Sequence, residues 1–154
     1  ASPSKEHNIE DLIKRSDTIV VPMLPSSIDV RAGSKFIGKL LTHSAYRRHP
    51  LPIAVVANRT RPNTRALKKL FEFLSCLDIP TVAQFSDDVL YNDTAANGTG
   101  LLDKKNRSNK EYREALEWQK LIRWIEEAGN ELLIKKAQPI RAMKHHPSKH
   151  QSYQ

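Results

Sequence analysis

The stretch Pro52-Ile-Ala-Val-Val-Ala-Asn58-Arg-Thr-Arg-Pro-Asn-Thr-Arg-Ala66 changes from apolar to basic at its middle. Residues 53–57 form a short apolar run rich in β-branched side chains, which predicts a strand buried on both faces. Residues 62–64, Pro-Asn-Thr, are typical of a turn followed by a helix N-cap. Asn58 should therefore stand at the carboxyl end of a buried strand, just before a helix. Open parallel α/β sheets bind their ligands at that place.

The length and charge of the chain limit what it can be. A chain of 154 residues is long enough for one domain with a real core. Its formal net charge of +8 indicates a polyanionic partner, either nucleic acid or an acidic membrane surface, although such an excess also occurs in proteins that need it only for solubility. No apolar run approaches the ~20 residues that cross a bilayer, so no membrane span is predicted.

The only cysteine, Cys76, lies among apolar residues at helical spacing. This pattern predicts a small core residue and not a nucleophile. A chain with one cysteine can form no internal disulfide, which favours a reducing, cytoplasmic setting. The clustered residues His145, His146 and His150 lack a credible fourth ligand, so no metal site is predicted.

Short apolar runs alternate with helical patterns along the chain. Runs at 18–23 and 81–85 predict two further strands, and helical spacing predicts helices over 4–16, the residues after 27–29, 67–77, 89–97 and 109–136. This order predicts a Rossmann-like α/β fold, with a parallel sheet, right-handed crossovers, helices on both faces and a long C-terminal helix. Each apolar run has the pattern of a central strand buried on both faces, so the sheet is expected to be incomplete. Either it pairs with strands elsewhere, or the chain is the back half of a larger domain.

The last residues of the chain differ in composition from the rest. From Lys135 onwards there are five Lys or Arg, three His and no acidic residue, with prolines and no apolar period. We therefore divide the chain into an α/β domain, residues 1–136, and a basic tail, residues 137–154, which is expected to be disordered.

Three stretches, in chain order, resemble one known family. They are Ser-Asp-Thr-Ile-Val-Val-Pro-Met-Leu-Pro-Ser-Ser-Ile-Asp-Val at 16–30, Ala-Val-Val-Ala-Asn-Arg at 54–59, and the run from Pro80 to Gly98. They are similar to the Pro-x-x-Pro-Ser loop, the Asn-Arg strand end, and the last strand with its acidic turn in the ParA/MinD family. Members are P-loop ATPases of the deviant Walker A type. The resemblance covers about Ser16 to Leu102 and implies that residues 1–136 are the C-terminal part of a ParA-like ATPase domain.

The sequence departs from this family in its phosphate-binding half. The loop Lys-Gly-Gly-x-x-Lys-Thr is absent, as are the first strand and the strand that ends in Asp-Thr-Pro. In the family that loop cradles the phosphates, and its Ser or Thr holds magnesium. The resemblance thus implies ATP and Mg²⁺ as cofactors, with the phosphate and metal sites outside this chain. No catalytic residue is assigned, and the chain alone is not expected to hydrolyse ATP.

The resemblance implies that Asn58 contacts the adenine edge, for which an amide with both a donor and an acceptor is suited. Without the resemblance, the sequence favours a turn residue at Asn58 that bonds its own backbone, and only the resemblance favours adenine contact. The turn Ser86-Asp87-Asp88 ends the neighbouring predicted strand and would form the second wall of the base pocket. It could also be a helix N-cap, and both roles can hold together.

A block of basic residues follows Asn58, and most such runs are simply solvated helix faces. Family members, however, bind DNA without sequence preference through basic residues in this half. The DNA-binding candidates are Arg59, Arg61, Arg65, Lys68, Lys69, Lys135 and Lys136.

The resemblance implies a ParA-type ATPase for partition or intracellular positioning of DNA or of a protein cargo such as a carboxysome. Its expected partners are a second copy bound with ATP, non-specific nucleoid DNA and an activating adaptor protein. The expected setting is cytoplasmic and nucleoid-associated, with no membrane partner. The alternative is a non-catalytic, basic α/β module that binds nucleic acid without nucleotide.

Overall fold

The fold is taken from a computed structural model that describes the backbone of residues 4–137 and the side chains of residues 9–131. Except for Ala137, the predicted basic tail lies outside the described residues, as do the three clustered histidines. The elements are α1 (Ser4–Arg15), β1 (Ile19–Met23), α2 (Ser27–Thr42), α3 (Ser44–Arg48), β2 (Ile53–Thr60), α4 (Arg65–Leu74), β3 (Thr81–Ser86), α5 (Leu90–Ala96), a 3₁₀ turn (Leu101–Asp103) and α6 (Asn109–Ala137).

The strand β2 lies at the centre of the described sheet. The order is β1-β2-β3, and both pairs are parallel, with Ile19 opposite Ile53 and Val56 opposite Ala83. Residues 53–57 are all buried, which confirms the doubly buried strand predicted there. Parallel strands need crossover connections, which here contain α2, α3 and α4 on one face of the sheet, and α6 covers the other face. The predicted α/β class, with its parallel sheet and long final helix, is therefore confirmed.

The helices are divided unequally between the two faces. The helices α1 to α4 pack with one face of β1 and β2 around the fully buried side chains Leu40, Val55 and Leu70. On the other face, α6 packs against β3 through Leu121 and Trp118, which contact Val56, Ala83 and Phe85. No helix of the described part is long and apolar enough to cross a membrane.

Two of the three strands are less buried than the sequence suggested. The strand β1 alternates buried and more accessible positions, with Pro22 exposed, and β3 begins at the exposed Thr81. The prediction that every strand is buried on both faces is therefore wrong for β1 and β3. Within the described sheet each has a single strand neighbour, so only β2 is enclosed from both sides.

The strand β2 does not end at Ala57 as predicted. It continues to Thr60, and the pairing with β3 shifts register between Ala57 and Thr60, which leaves Asn58 and Arg59 as a bulge. Arg59 adopts a positive φ of 51°, which is unusual for a residue with a side chain. The buried Thr60 closes the bulge, since its hydroxyl donates to the carbonyl of Phe85 at 3.0 Å. Bulges of this kind redirect side chains at the ends of strands.

The predicted burial of Cys76 is wrong. The helix α4 ends at Leu74, so Cys76 lies in the turn that follows and is exposed. Its thiol bonds the carbonyl of Glu72 at 3.3 Å. The apolar spacing continues past the helix end because Leu77 and Ile79 still pack on the core.

Candidate functional site

A cavity of about 550 Å³ opens at the carboxyl ends of β2 and β3, between the sheet and α6. The four residues predicted for adenine contact, Asn58, Ser86, Asp87 and Asp88, all line it. The other lining residues are Pro22, Val56, Arg59, Phe85, Tyr91, Asn92, Trp118 and Leu121. Parallel strands that end at one edge bring these side chains together, although about thirty residues separate them in the sequence.

Asn58 makes the local bond that the turn interpretation expects. Its Oδ1 accepts from the backbone N–H of Arg59 at 3.0 Å, which holds the first residue of the bulge. The amide NH₂ group of Asn58 has no hydrogen bond to a described residue. Asn58 therefore offers a ligand its donor while its acceptor supports the backbone.

Asp87 is held by two arginines. Arg59 Nε lies 3.0 Å from Oδ1 of Asp87, and Arg61 Nε lies 2.8 Å from Oδ2. Hydrogen bonds from Arg59 and Arg61 keep the pKa of the Asp87 carboxyl below its usual range. The backbone N–H of Asp87 also donates to the carbonyl of Thr60 at 2.9 Å. This predicted wall of the base pocket thus carries an internal ion-pair cluster.

Asp88 links the turn to two helices. Its Oδ1 accepts from the backbone N–H of Leu90 at 3.0 Å, at the start of α5, and its other oxygen pairs with Lys110 of α6. The bonds from Lys110 and Leu90 lower the pKa of Asp88. The prediction that this turn supplies the helix N-cap is wrong, because the N-cap of α5 is Val89, which makes no side-chain cap bond. Asp88, one residue earlier, bonds the first helical N–H and still lines the cavity.

Two glutamates of α6 bind the outer edge of β3, and sequence reasoning assigned no role to either. Glu117 accepts from the backbone N–H of Gln84 at 2.8 Å, and Glu114 accepts from that of Ser86 at 3.2 Å. Glu114, only 8% exposed, also accepts from the hydroxyl of Tyr91 at 2.5 Å. Burial and the Glu114 carboxylate raise the pKa of Tyr91. These bonds satisfy strand amides that would otherwise be unpaired at a sheet edge. In the sequence, the only hint of this role is that the two acidic residues stand three positions apart among apolar residues.

Ser86 lines the cavity, and its hydroxyl is an unsatisfied group. Its Oγ is buried and has no hydrogen-bond partner among the described residues. Such groups cost free energy unless something bonds them. Beside it, the rings of Phe85 and Trp118 pack with centroids 4.6 Å apart and an interplanar angle of 37°. The cavity therefore combines flat apolar surface with a few polar groups, as small-molecule sites do.

The basic block does not form one surface. Arg59 and Arg61 pair with Asp87 at the mouth of the cavity. Arg65 and Lys69, one turn apart on α4, line a different depression that they share with α2. Lys68 is exposed and lines neither. The positions of Lys135 and Lys136 lie within α6, but their side chains fall outside the described residues.

The described residues contain no group of three or more His, Cys, Asp or Glu side chains that could hold a metal ion. Comparison of the chain with protein-family models, with curated proteins and with solved structures finds no match. The resemblance to the ParA/MinD family therefore stays a prediction from the sequence motifs.

Proposed function

We propose that this chain is the C-terminal half of a ParA-type ATPase and that its cavity receives the adenine base of ATP. The observation that carries the proposal is the convergence of Asn58 and the turn 86–88 on one cavity, at the carboxyl ends of two neighbouring parallel strands. That position is where open α/β sheets bind nucleotides.

The groups on the cavity wall suit a purine base. The free NH₂ group of Asn58 can donate to a ring nitrogen, and the buried hydroxyl of Ser86 can donate or accept. Trp118 and Tyr91 supply flat surface against which a base can pack. ATP supplies the phosphoryl group that is transferred to water. The proposal places the phosphate cradle and the Mg²⁺ ligands in polypeptide that is not among these 154 residues.

The basic side chains supply the second part of the proposed activity. In this proposal, ATP held between two copies forms a dimer that binds nucleoid DNA, and an adaptor protein triggers hydrolysis and release. The exposed residues Arg65, Lys68 and Lys69 are the candidates for phosphate contact, and Lys135 and Lys136 join them on α6. Arg59 and Arg61 can contribute only in competition with Asp87.

The base pocket can be tested on the chain itself. Trp118 lines the cavity, so bound adenosine should change the tryptophan fluorescence of the chain. We expect saturable binding of adenosine and weaker binding of guanosine, whose hydrogen-bonding edge differs. Asn58→Ala should weaken adenosine binding by about tenfold, the value of one good hydrogen bond to a ligand. Lys68→Ala, outside the cavity, is the matched control. Equal affinity of Asn58→Ala and the parent chain would remove Asn58 from the site.

The wider function needs the complete protein with its phosphate-binding half. We expect it to shift duplex DNA at low salt with ATP and to release it without ATP. Absence of ATP-dependent binding at low salt would contradict the DNA part of the proposal while leaving adenosine binding to be judged separately.

A non-catalytic nucleic-acid module is the second candidate. It is favoured by the net charge of +8 and by three exposed cations that form no salt bridge within the described part of the chain, Arg65, Lys68 and Lys69. Such a module would bind DNA equally well with and without nucleotide. The same shift experiment therefore separates the two candidates.

A further inference from the structure

A second concave surface lies on the face of the sheet opposite α6. It is a groove of about 560 Å³ between α2 and α4, and we call it the α2–α4 groove. Its base is apolar: Leu70 is fully buried there, and Val30 and Phe73 are partly buried beside it. The base is apolar because each of the two helices turns an apolar stripe towards the core. The outer edge of each stripe is left in the groove.

Three cations stand around this apolar base. Arg31 comes from α2, while Arg65 and Lys69 come from successive turns of α4, and all three are exposed. Among the described residues none of them forms a salt bridge, and no Asp or Glu lines the groove. This differs from the mouth of the cavity, where Asp87 neutralises part of the arginine charge.

An exposed aliphatic side chain extends the surface along α2. Ile28 is 80% exposed, the largest value among the exposed large apolar residues of the described part. It lies in an adjoining depression that shares Ser27 and Arg31 with the groove. An apolar side chain next to an apolar groove, rimmed by charge, is typical of a protein interaction surface.

We propose that the α2–α4 groove binds an acidic amphipathic helix of a partner protein. Its apolar stripe would pack on Val30, Phe73 and Ile28, and its flanking carboxylates would pair with the three cations. Duplex DNA is the other polyanion to consider, but phosphate contacts need only the cations and would leave the apolar base and Ile28 unused. This inference goes beyond the proposed ATPase function and does not depend on nucleotide binding.

The test uses labelled synthetic peptides and the full chain. The first peptide is an amphipathic helix of about 18 residues, five turns, with a Leu stripe flanked by Glu. A second peptide has the same composition in an order that breaks the stripe, and a third has Lys in place of Glu. Fluorescence anisotropy should show binding of the first and at least about tenfold weaker binding of the other two.

Substitutions locate the site. The double variant Arg31→Glu, Lys69→Glu should weaken binding of the first peptide by at least about tenfold, and Ile28→Ser should weaken it about threefold or more. The double variant Lys39→Glu, Arg47→Glu makes the same charge change outside the groove, on α2 and α3, and its affinity for the first peptide should stay within about twofold of the parent's. All these positions are exposed, and circular dichroism and a thermal melt of each variant check that the fold is kept.

Two results would overturn the inference. Equal affinity for the ordered and scrambled acidic peptides would mean that charge alone attracts them. Peptide binding that is unchanged in the double variant, together with loss of ATP-dependent DNA binding when the complete protein carries the same substitutions, would assign the cations to nucleic acid. Adenosine binding, measured on the same variants, should be unchanged, so failure here is distinguishable from failure of the proposed nucleotide site.

Discussion

Arg59 and Asp87 join the ends of two neighbouring parallel strands, with Arg59 Nε 3.0 Å from Oδ1 of Asp87. Arg61 binds the second carboxylate oxygen at 2.8 Å, so one acid is shared by two guanidinium groups. The pair forms at the bulge, where Arg59 has its positive φ. An anionic ligand that approaches the mouth of the cavity must therefore compete with Asp87 for both arginines.

Removal of the Asp87 charge should release these arginines. We expect the complete protein, with ATP, to bind duplex DNA more tightly when it carries Asp87→Asn, because Arg59 and Arg61 can then contact phosphates. Each added contact steepens the dependence of log K on log salt by about one unit, so the slope should grow by about one to two units. A salt titration of binding by fluorescence anisotropy measures this slope.

The control for that experiment is Asp93→Asn. Asp93 is exposed on α5, and its substitution changes the net charge equally without releasing an arginine. It should raise the affinity slightly and leave the slope nearly unchanged. If both variants gave the same slope, total charge would be responsible and the arginine pair would have no special part.

Glu111 should make the stability of the chain depend on acid pH. It accepts from Lys104 Nζ at 2.5 Å and from the backbone N–H of Ser108 at 2.9 Å, and these bonds lower its pKa from 4.5 to about 2. Because the folded pKa lies below the unfolded value, the stabilisation is complete above about pH 4.5 and is lost as the pH falls towards 2. Glu111→Gln should therefore be less stable than the parent at pH 7 and equal to it near pH 2. Urea midpoints at several pH values measure this difference.

A carboxylate farther along the same helix provides the comparison. Glu126 is exposed on α6 and lies well beyond the first turn, where Glu111 bonds Ser108. Glu126→Gln should shift the urea midpoint little at any pH, since isolated surface charges contribute little to stability. If the difference in urea midpoint between Glu111→Gln and the parent persisted at pH 2, the charge of Glu111 would not be the cause of that difference.

Two glycines of α2 should respond in opposite ways to the same substitution. A Cβ on Gly33 would lie 2.5 Å from Cε and 3.2 Å from Sδ of Met23, which is 1% exposed, whereas a Cβ on Gly38 would meet nothing within 4 Å. Gly38→Ala should raise the free energy of unfolding by about 1 kcal/mol through helix propensity. Gly33→Ala should lower it by about 1–2 kcal/mol, because displacement of a buried side chain outweighs that gain. Urea denaturation followed by circular dichroism measures both, and a stabilised Gly33→Ala would show that Met23 repacks freely.

The class of the fold and the position of the cavity could both be predicted from the sequence. An apolar run with no polar position predicts a central strand, and residues 53–57 form one. Since parallel strands end at one edge, Asn58 and Ser86 could be expected to meet, and they line the same cavity. Both inferences depend only on local pattern and strand direction.

The remaining features depend on contacts that local pattern does not contain. The bulge at Asn58 and Arg59 was missed because a positive φ in a residue other than glycine has no sequence signature. The basic run was read as one block, but Asp87 and α2 divide it between two surfaces. Glu114 and Glu117 received no role, because their bonds to β3 depend on how α6 docks.

Ser86 and Thr60 stand opposite each other in the register of β2 and β3, but their hydroxyl groups differ in hydrogen bonding. Thr60 Oγ1 donates to the carbonyl of Phe85 at 3.0 Å and accepts from Gln84 Nε2 at 3.2 Å, whereas Ser86 Oγ is buried and has no partner within the described part of the chain. Thr60→Val should therefore lower the free energy of unfolding by about 1–2 kcal/mol, and Ser86→Ala should raise it by about 1 kcal/mol. Urea denaturation of the ligand-free chain measures both changes.

The same serine links stability to the proposed binding. If Ser86 Oγ bonds the base, Ser86→Ala should bind adenosine about five- to tenfold more weakly while it unfolds at higher urea concentration. A variant that is both more stable and a poorer binder indicates a polar group kept for a ligand, since surrounding structure alone gives no reason for an unsatisfied hydroxyl. If Ser86→Ala binds adenosine as tightly as the parent, the hydroxyl lies outside the binding site. If Ser86→Ala is less stable than the parent, Oγ has a hydrogen-bond partner in the folded chain.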